Sequence, residues 1–142
     1  MEVKTMNWKK HAAIGAIYAG LAVALGAFGA HVLEARLEAD ALSTWETAAR
    51  YHMYHALGIL LTALLAGRPE TDGAGRALVW AIRLLHAGLW LFSGSLYALV
   101  LTGAGWLGAV TPIGGVSWVA GWALAAAGLL RAGGRGRRGR PE

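Results

Sequence analysis

The sequence predicts an all-α integral membrane protein, a four-helix bundle with both termini on the cytoplasmic side. Three observations predict it. Charged residues make up 15% of the 142 and hydrophobic ones 56%, whereas about a quarter of an ordinary soluble domain is charged. The charges are also segregated, with none from His11 to Leu33, none from Tyr51 to Gly67 and none from Leu84 to Leu130. The last run is 47 residues long. Since about 20 apolar residues cross the hydrocarbon core, it holds two spans, divided at the turn residues Gly103, Ala104 and Gly105.

Span one, residues 11–33, follows Lys4, Lys9 and Lys10. It is too long for the h-region of a signal peptide, which runs about 7–15 residues, and is read as a retained span. Its small residues recur as Ala12, Ala16, Gly20, Ala24 and as Ala22, Gly26, Ala30. Span two, residues 44–67, opens at Ser43, Thr44, Trp45 and Glu46. That order reads as a capping box with Ser43 as N-cap, and Trp45 as an interfacial anchor. The alanine-rich segment 34–42 before it is a short connector outside the hydrocarbon.

Span three covers residues 77–102. Span four, 107–130, carries Thr111 and Pro112 ahead of Gly114 and Gly115, a combination that loosens its start. Gly114, Ser117, Gly121, Ala125 and Gly128 recur at spacings of three and four. In lipid the hydrophobic effect does not drive helices together, and close approach of small residues does much of that work. The small faces of spans one and four therefore predict that helices one and four pack tightly, and they allow a homo-oligomer.

Domain organisation follows: a basic segment 1–10, a membrane domain 11–131, and an Arg/Gly-rich tail 132–142 expected to be disordered on the membrane surface. The formal charge is +5, with five arginines between Arg131 and Arg140. Basic clusters beside spans place both termini in the cytoplasm and favour anionic lipid headgroups as partners over nucleic acid. There is no cysteine, so disulfides, thiolate metal sites, Fe–S clusters and cysteine nucleophiles are excluded. No phosphate-binding loop or G-x-S-x-G is present, and Ser93, Gly94, Ser95 has no base at fixed spacing.

Polar side chains concentrate at two depths. On span two, Ala48, Tyr51, His52, His55, Gly58, Thr62 and Ala66 share one side, while Met53, Leu57, Leu60, Leu61 and Leu64 share the other. The histidine side should face the bundle, because intramembrane polar groups need partners. With span three contributing the stripe His86, Trp90, Ser93, Tyr97, the sequence predicts an outer-leaflet cluster of His31, Glu46, Arg50, Tyr51, His52, His55, Tyr97 and Thr111. A sparser inner set is His11, Arg83 and His86.

Each has a structural reading beside the functional one. Glu46 and Arg50, four apart, suit a helical ion pair of about 0.3–0.5 kcal/mol. His52 and His55 could ligate a metal with His31 as third ligand, but a neutral pair hydrogen-bonded to Tyr97, Glu46 or backbone is the commoner use. No cofactor is expected. The leading expectation is a non-enzymatic plasma-membrane protein whose buried His/Tyr/Glu/Arg network fixes helix register and could also bind a small ligand or lipid. The alternatives are an oligomeric proton-coupled transporter or channel relaying through His31, Glu46, His52 and His55, and a haem or metal protein.

Four blocks, GAFGAH (26–31), TWETAARYHMYHAL (44–57), FSGSLY (92–97) and GAVTPIGG (108–115), resemble the family of transmembrane protein 256, also catalogued as domain of unknown function 423. The resemblance covers about residues 11–130. It implies a small multi-spanning protein of bacterial plasma membranes with eukaryotic relatives, and brings no catalytic residue or cofactor with it. The arginine-rich tail falls outside it.

Overall fold

The charge-free runs become helices: α1 (Trp8–Leu33), α2 (Ala39–Ala66), α3 (Gly75–Thr102) and α4 (Leu107–Arg138). The computed structural model describes residues 6–138, and among the described residues there is no strand. Three of the helices, α1, α3 and α4, are long and apolar enough to cross a membrane, where four were expected. The exception is α2. Its length suffices at 28 residues, but Asp40, Glu46, Arg50, His52 and His55 dilute the apolar character of its first half.

The helix ends show which local signals act. Asn7 caps α1, its side-chain oxygen accepting from the Lys10 N–H at 3.1 Å. The capping box expected at Ser43 is not used: α2 starts at Ala39 behind an extended Glu38, so Ser43 and Glu46 are exposed positions inside the helix. Ala39, Ala41 and Leu42 are strong helix formers that carry the helix upstream, and Asp40 favours the positive end of its dipole.

The expected break after Thr102 is present. Gly103 adopts φ +69°, where a side chain would be strained, and its N–H returns to the Leu99 carbonyl at 2.8 Å. Helix α4 runs on to Arg138, beyond the expected end at 130, because no proline follows Pro112 within it and arginine suits a helix C-terminus. Of the tail expected to be disordered, residues 139–142 lie outside the described residues.

Packing corrects the expected pairing of helices one and four. Helix α1 lies along α2, α3 lies along α4, and α2 meets α3, so two hairpins stand side by side. Glycine decides these contacts. A Cβ at Gly15 would stand 2.7 Å from the Leu60 nitrogen of α2. One at Gly114 would stand 2.5 Å from the Phe92 nitrogen of α3. The α4 stripe Gly114, Gly121, Ala125, Gly128 is indeed buried, but against α3.

The α1 stripe is a different one from that expected. Ala12, Gly15, Ala22 and Gly29 are buried, whereas Ala16, Gly20 and Ala24 are exposed. Steps of four advance 400° and drift 40° off a face each time, while alternating threes and fours stay on it.

Outside, large apolar side chains face away from the protein, among them Ile17, Val116, Val119 at 72% exposure and Leu130 at 79%. So broad an apolar exterior suits hydrocarbon rather than water. Two π-helical turns, Gly29–Leu33 in α1 and Trp90–Gly94 in α3, re-aim the side chains around them. The second buries Ser93 completely and leaves Trp90 exposed.

Candidate functional site

Helix α2 supplies the centre of the polar interior. His52 is 3% exposed and His55 7%, and their spacing of three turns them about 60° apart around the helix. They consequently enter two different layers. Tyr51, expected to face inward, stands exposed at the rim of the second.

The His52 layer lies between α1, α2 and α3. His52 Nδ1 is 3.3 Å from the Tyr97 hydroxyl, and Tyr97 packs against Trp45 with ring centroids 4.6 Å apart. Trp45 is buried, not an interfacial anchor, and its indole N–H donates to the Leu25 carbonyl of α1 at 2.8 Å. Gly29 makes that possible, since a Cβ there would stand 2.7 Å from Trp45 Cδ1. His52 Nε2 and the Ser93 hydroxyl are buried without a hydrogen-bond partner.

The His55 layer lies between α2, α3 and α4. His55 Nδ1–H donates to the Tyr51 carbonyl at 2.8 Å; a carbonyl only accepts, so this nitrogen carries the hydrogen. The imidazole lies flat on the Trp118 indole, centroids 3.5 Å and planes 6° apart. Trp118 in turn donates to the Leu85 carbonyl at 3.2 Å and fills a notch over Gly88. Trp122 fills the corresponding notch at Gly58.

Deeper along α1 lies a histidine pair. His11 Nδ1 and His86 Nε2 are 3.1 Å apart. Tyr18 then stands edge-on to His86 at 5.6 Å and to His52 at 6.1 Å between centroids, linking the inner and outer sets. Trp90 donates its indole N–H to the Tyr18 hydroxyl at 3.2 Å. Arg83 does not join; it is exposed, with its guanidinium over the Trp80 ring at 5.0 Å.

The structure therefore gathers only part of the expected outer cluster. His31, Glu46 and Arg50 are exposed, and among the described residues no ion pair joins Glu46 to Arg50. Thr111 instead shares a 2.8 Å hydrogen bond with Ser95, tying α4 to α3. Among the described residues no group of three or more His, Cys, Asp or Glu is placed to hold a metal ion. The residues missed are Tyr18 and Trp118. Both had a signal: Tyr18 lies seven residues from His11, and Trp118 lies four after Gly114 and seven before Ala125, each on the same helix face as those residues.

The family described as "Protein of unknown function (DUF423)" matches residues 25–115. The chain is also similar to the UPF0382 membrane protein YwdK of Bacillus subtilis, 48% identical over 111 residues, covering 78% of this chain and 88% of the relative. The chain belongs to the DUF423 family. A second relative, the UPF0382 membrane protein SSP2132 of Staphylococcus saprophyticus, is 44% identical over 118 residues, 83% of this chain and 94% of its own. No solved structure matches the chain. With relatives named membrane proteins and three helices apolar enough to span, this DUF423 chain is a multi-pass membrane protein of bacterial type. The DUF423 segment contains His31 through Thr111, whereas His11, Tyr18 and Trp118 lie outside it.

Proposed function

We propose that this chain is a non-enzymatic four-span protein of the bacterial plasma membrane, with both termini cytoplasmic. Its buried polar network sets helix register, and the outer end of that network takes a small ligand or a lipid headgroup. One observation carries the structural part. Trp45, Trp90 and Trp118 each donate the indole N–H to a different helix, at Leu25, Tyr18 and Leu85, so these donors are committed to holding helices together. The ligand part rests on the Ser93 hydroxyl, a fully buried polar atom with no partner.

Helix α2 serves as the fourth span in this reading because its polar residues turn inward at His52 and His55 while Leu57, Leu61 and Leu64 turn outward. Orientation rests on Lys9 and Lys10 in the first turn of α1, Arg68 after α2, Arg76 in the first turn of α3, and the arginines that follow Leu130. The partners are lipids, with anionic headgroups at the basic tail, and a second copy of the chain through the exposed Ala16, Gly20 and Ala24.

The absence of cysteine makes the test direct. In spheroplasts, a membrane-impermeant maleimide should label an Ala104→Cys variant at once and a Glu70→Cys variant only after permeabilisation. The reverse pattern would remove the orientation. In detergent, His52→Ala should lower the melting temperature without releasing a metal or chromophore. Wild-type stability of a His52→Ala, His55→Ala double variant would count against the network.

A further inference from the structure

We propose that His11, His86, Tyr18, His52 and Tyr97 form a proton-transfer path through the interior, resting on the four-span placement given above. The five residues come from three helices yet stand in one file. Successive ring centroids are 5.2, 5.6, 6.1 and 6.0 Å apart. Two junctions already lie within hydrogen-bond reach, His11 to His86 at 3.1 Å and His52 to Tyr97 at 3.3 Å.

The file is long enough to matter. On α3, His86 and Tyr97 are eleven residues apart, which is about 16 Å of rise, against a hydrocarbon thickness of about 30 Å. Its inner end, His11, is half-buried in the first turn of α1 beside Lys9 and Lys10, at headgroup depth. Its outer end, Tyr97, is half-buried in the last turns of α3. Lys10 and Arg83 are the charged groups whose fields reach His11.

A purely structural role accounts for Trp45 and Trp118, but poorly for this file. Tying helices together requires fixed donors and satisfied acceptors, whereas every member here can both give and take a proton. His52 Nε2 has no partner at all. A buried nitrogen left open is a cost that a structural network avoids, and it is what a relay needs at its next junction. His55 is excluded, because its Nδ1–H is held by the Tyr51 carbonyl and its ring is clamped on Trp118.

The transfer balances as one proton in and one out. His11 takes a proton on one nitrogen and gives the proton of the other to His86. His86 passes a proton to the Tyr18 hydroxyl oxygen, which releases its own proton to His52 Nε2. His52 gives its Nδ1 proton to Tyr97, which releases its hydroxyl proton toward the outer face. Ring and hydroxyl rotations then reset the file, and no other bond changes. Tyr18 is the slow point: it stands edge-on to both histidines and its oxygen is held by Trp90. Its hydroxyl must leave Trp90 and swing between His86 and His52, so the path is gated rather than open.

The test is flux in liposomes of phosphatidylcholine and phosphatidylglycerol carrying the full chain, with pyranine inside and a potassium diffusion potential set by valinomycin. Internal pH should change faster than in protein-free liposomes. Tyr18→Phe and His52→Gln should slow it at least tenfold, and Tyr54→Phe, on the exposed face of α2, should not. Should Tyr18→Phe fail to insert, His86→Gln takes its place. Wild-type flux at the protein-free rate, or full flux in Tyr18→Phe, overturns the path. Either result alongside normal maleimide labelling and melting overturns the path alone, leaving the placement and the register network standing.

Discussion

The His55 imidazole lies flat on the Trp118 indole, with ring centroids 3.5 Å apart and planes within 6°. Backbones of α2 and α4 are not among the closely packed helix pairs. This contact, with Trp122 over Gly58, is how the α1–α2 hairpin grips α4.

His55→Leu should therefore weaken the fold by about 0.5–1.5 kcal/mol, the range for an aromatic pair. A double-mutant cycle with Trp118→Phe, read by unfolding in mixed micelles, should return a coupling of that order. Strict additivity would mean that the stack contributes nothing.

Trp45 separates a hydrogen bond from a packing effect. Trp45→Phe removes the donation to the Leu25 carbonyl and keeps most of the ring, which should cost about 0.6 kcal/mol and at most roughly 1.7. Trp45→Ala also empties the notch at Gly29 and should cost about 3–5 kcal/mol. Equal melting points for the two variants would show that the indole N–H carries the whole effect.

Gly15 and Gly20 sit five residues apart on α1 and should respond oppositely. A Cβ at Gly15 meets the backbone of Leu60 and Ala56, which cannot move aside, while one at Gly20 meets nothing within 4 Å. Gly15→Ala should destabilise by about 1–3 kcal/mol. Within one chain, Gly20→Ala should be neutral or stabilising by up to about 1 kcal/mol, as thermal melting of the two purified variants in dilute, monomeric micelles would show.

Gly103 tests the turn between α3 and α4. Its φ of +69° makes Gly103→Ala cost about 1–2 kcal/mol through the left-handed backbone, with no lost contact to blame, since a Cβ there meets nothing within 4 Å. Gly105→Ala, with equally open surroundings and no such φ, is the control in the same melting experiment.

Some features were legible because they depend on one residue and its immediate neighbours. Charge-free runs mark helices, and Gly103 marks a turn. The inward side of α2 was nearly right, with Ala48, His52, His55, Gly58 and Thr62 buried, but Tyr51 is displaced to the rim, and Leu60, expected on the lipid side, packs against Ala12, Ala63 and Ile82. Other local signals were overridden. The capping box at Ser43 lost to the alanine-rich residues upstream, and the four-residue repeat of Ala12, Ala16, Gly20 and Ala24 drifted off the packed face of α1. The outer cluster came together only in part for a related reason: position along a helix does not say which way a side chain turns against its neighbours, and His31, Glu46 and Arg50 point outward.

By itself, the sequence determined that this is a helical membrane protein, roughly where its helices lie, and which side of α2 turns inward. All three follow from hydropathy and the 3.6-residue period, which are properties of a single helix. Only the tertiary structure decided that α1 pairs with α2 and α3 with α4, that His52 and His55 enter separate layers, and that Tyr18 joins the inner histidines to the outer ones. Those outcomes depend on which indole fits which glycine notch. Such a fit is a contact between surfaces distant in the chain, and no spacing within one helix encodes it.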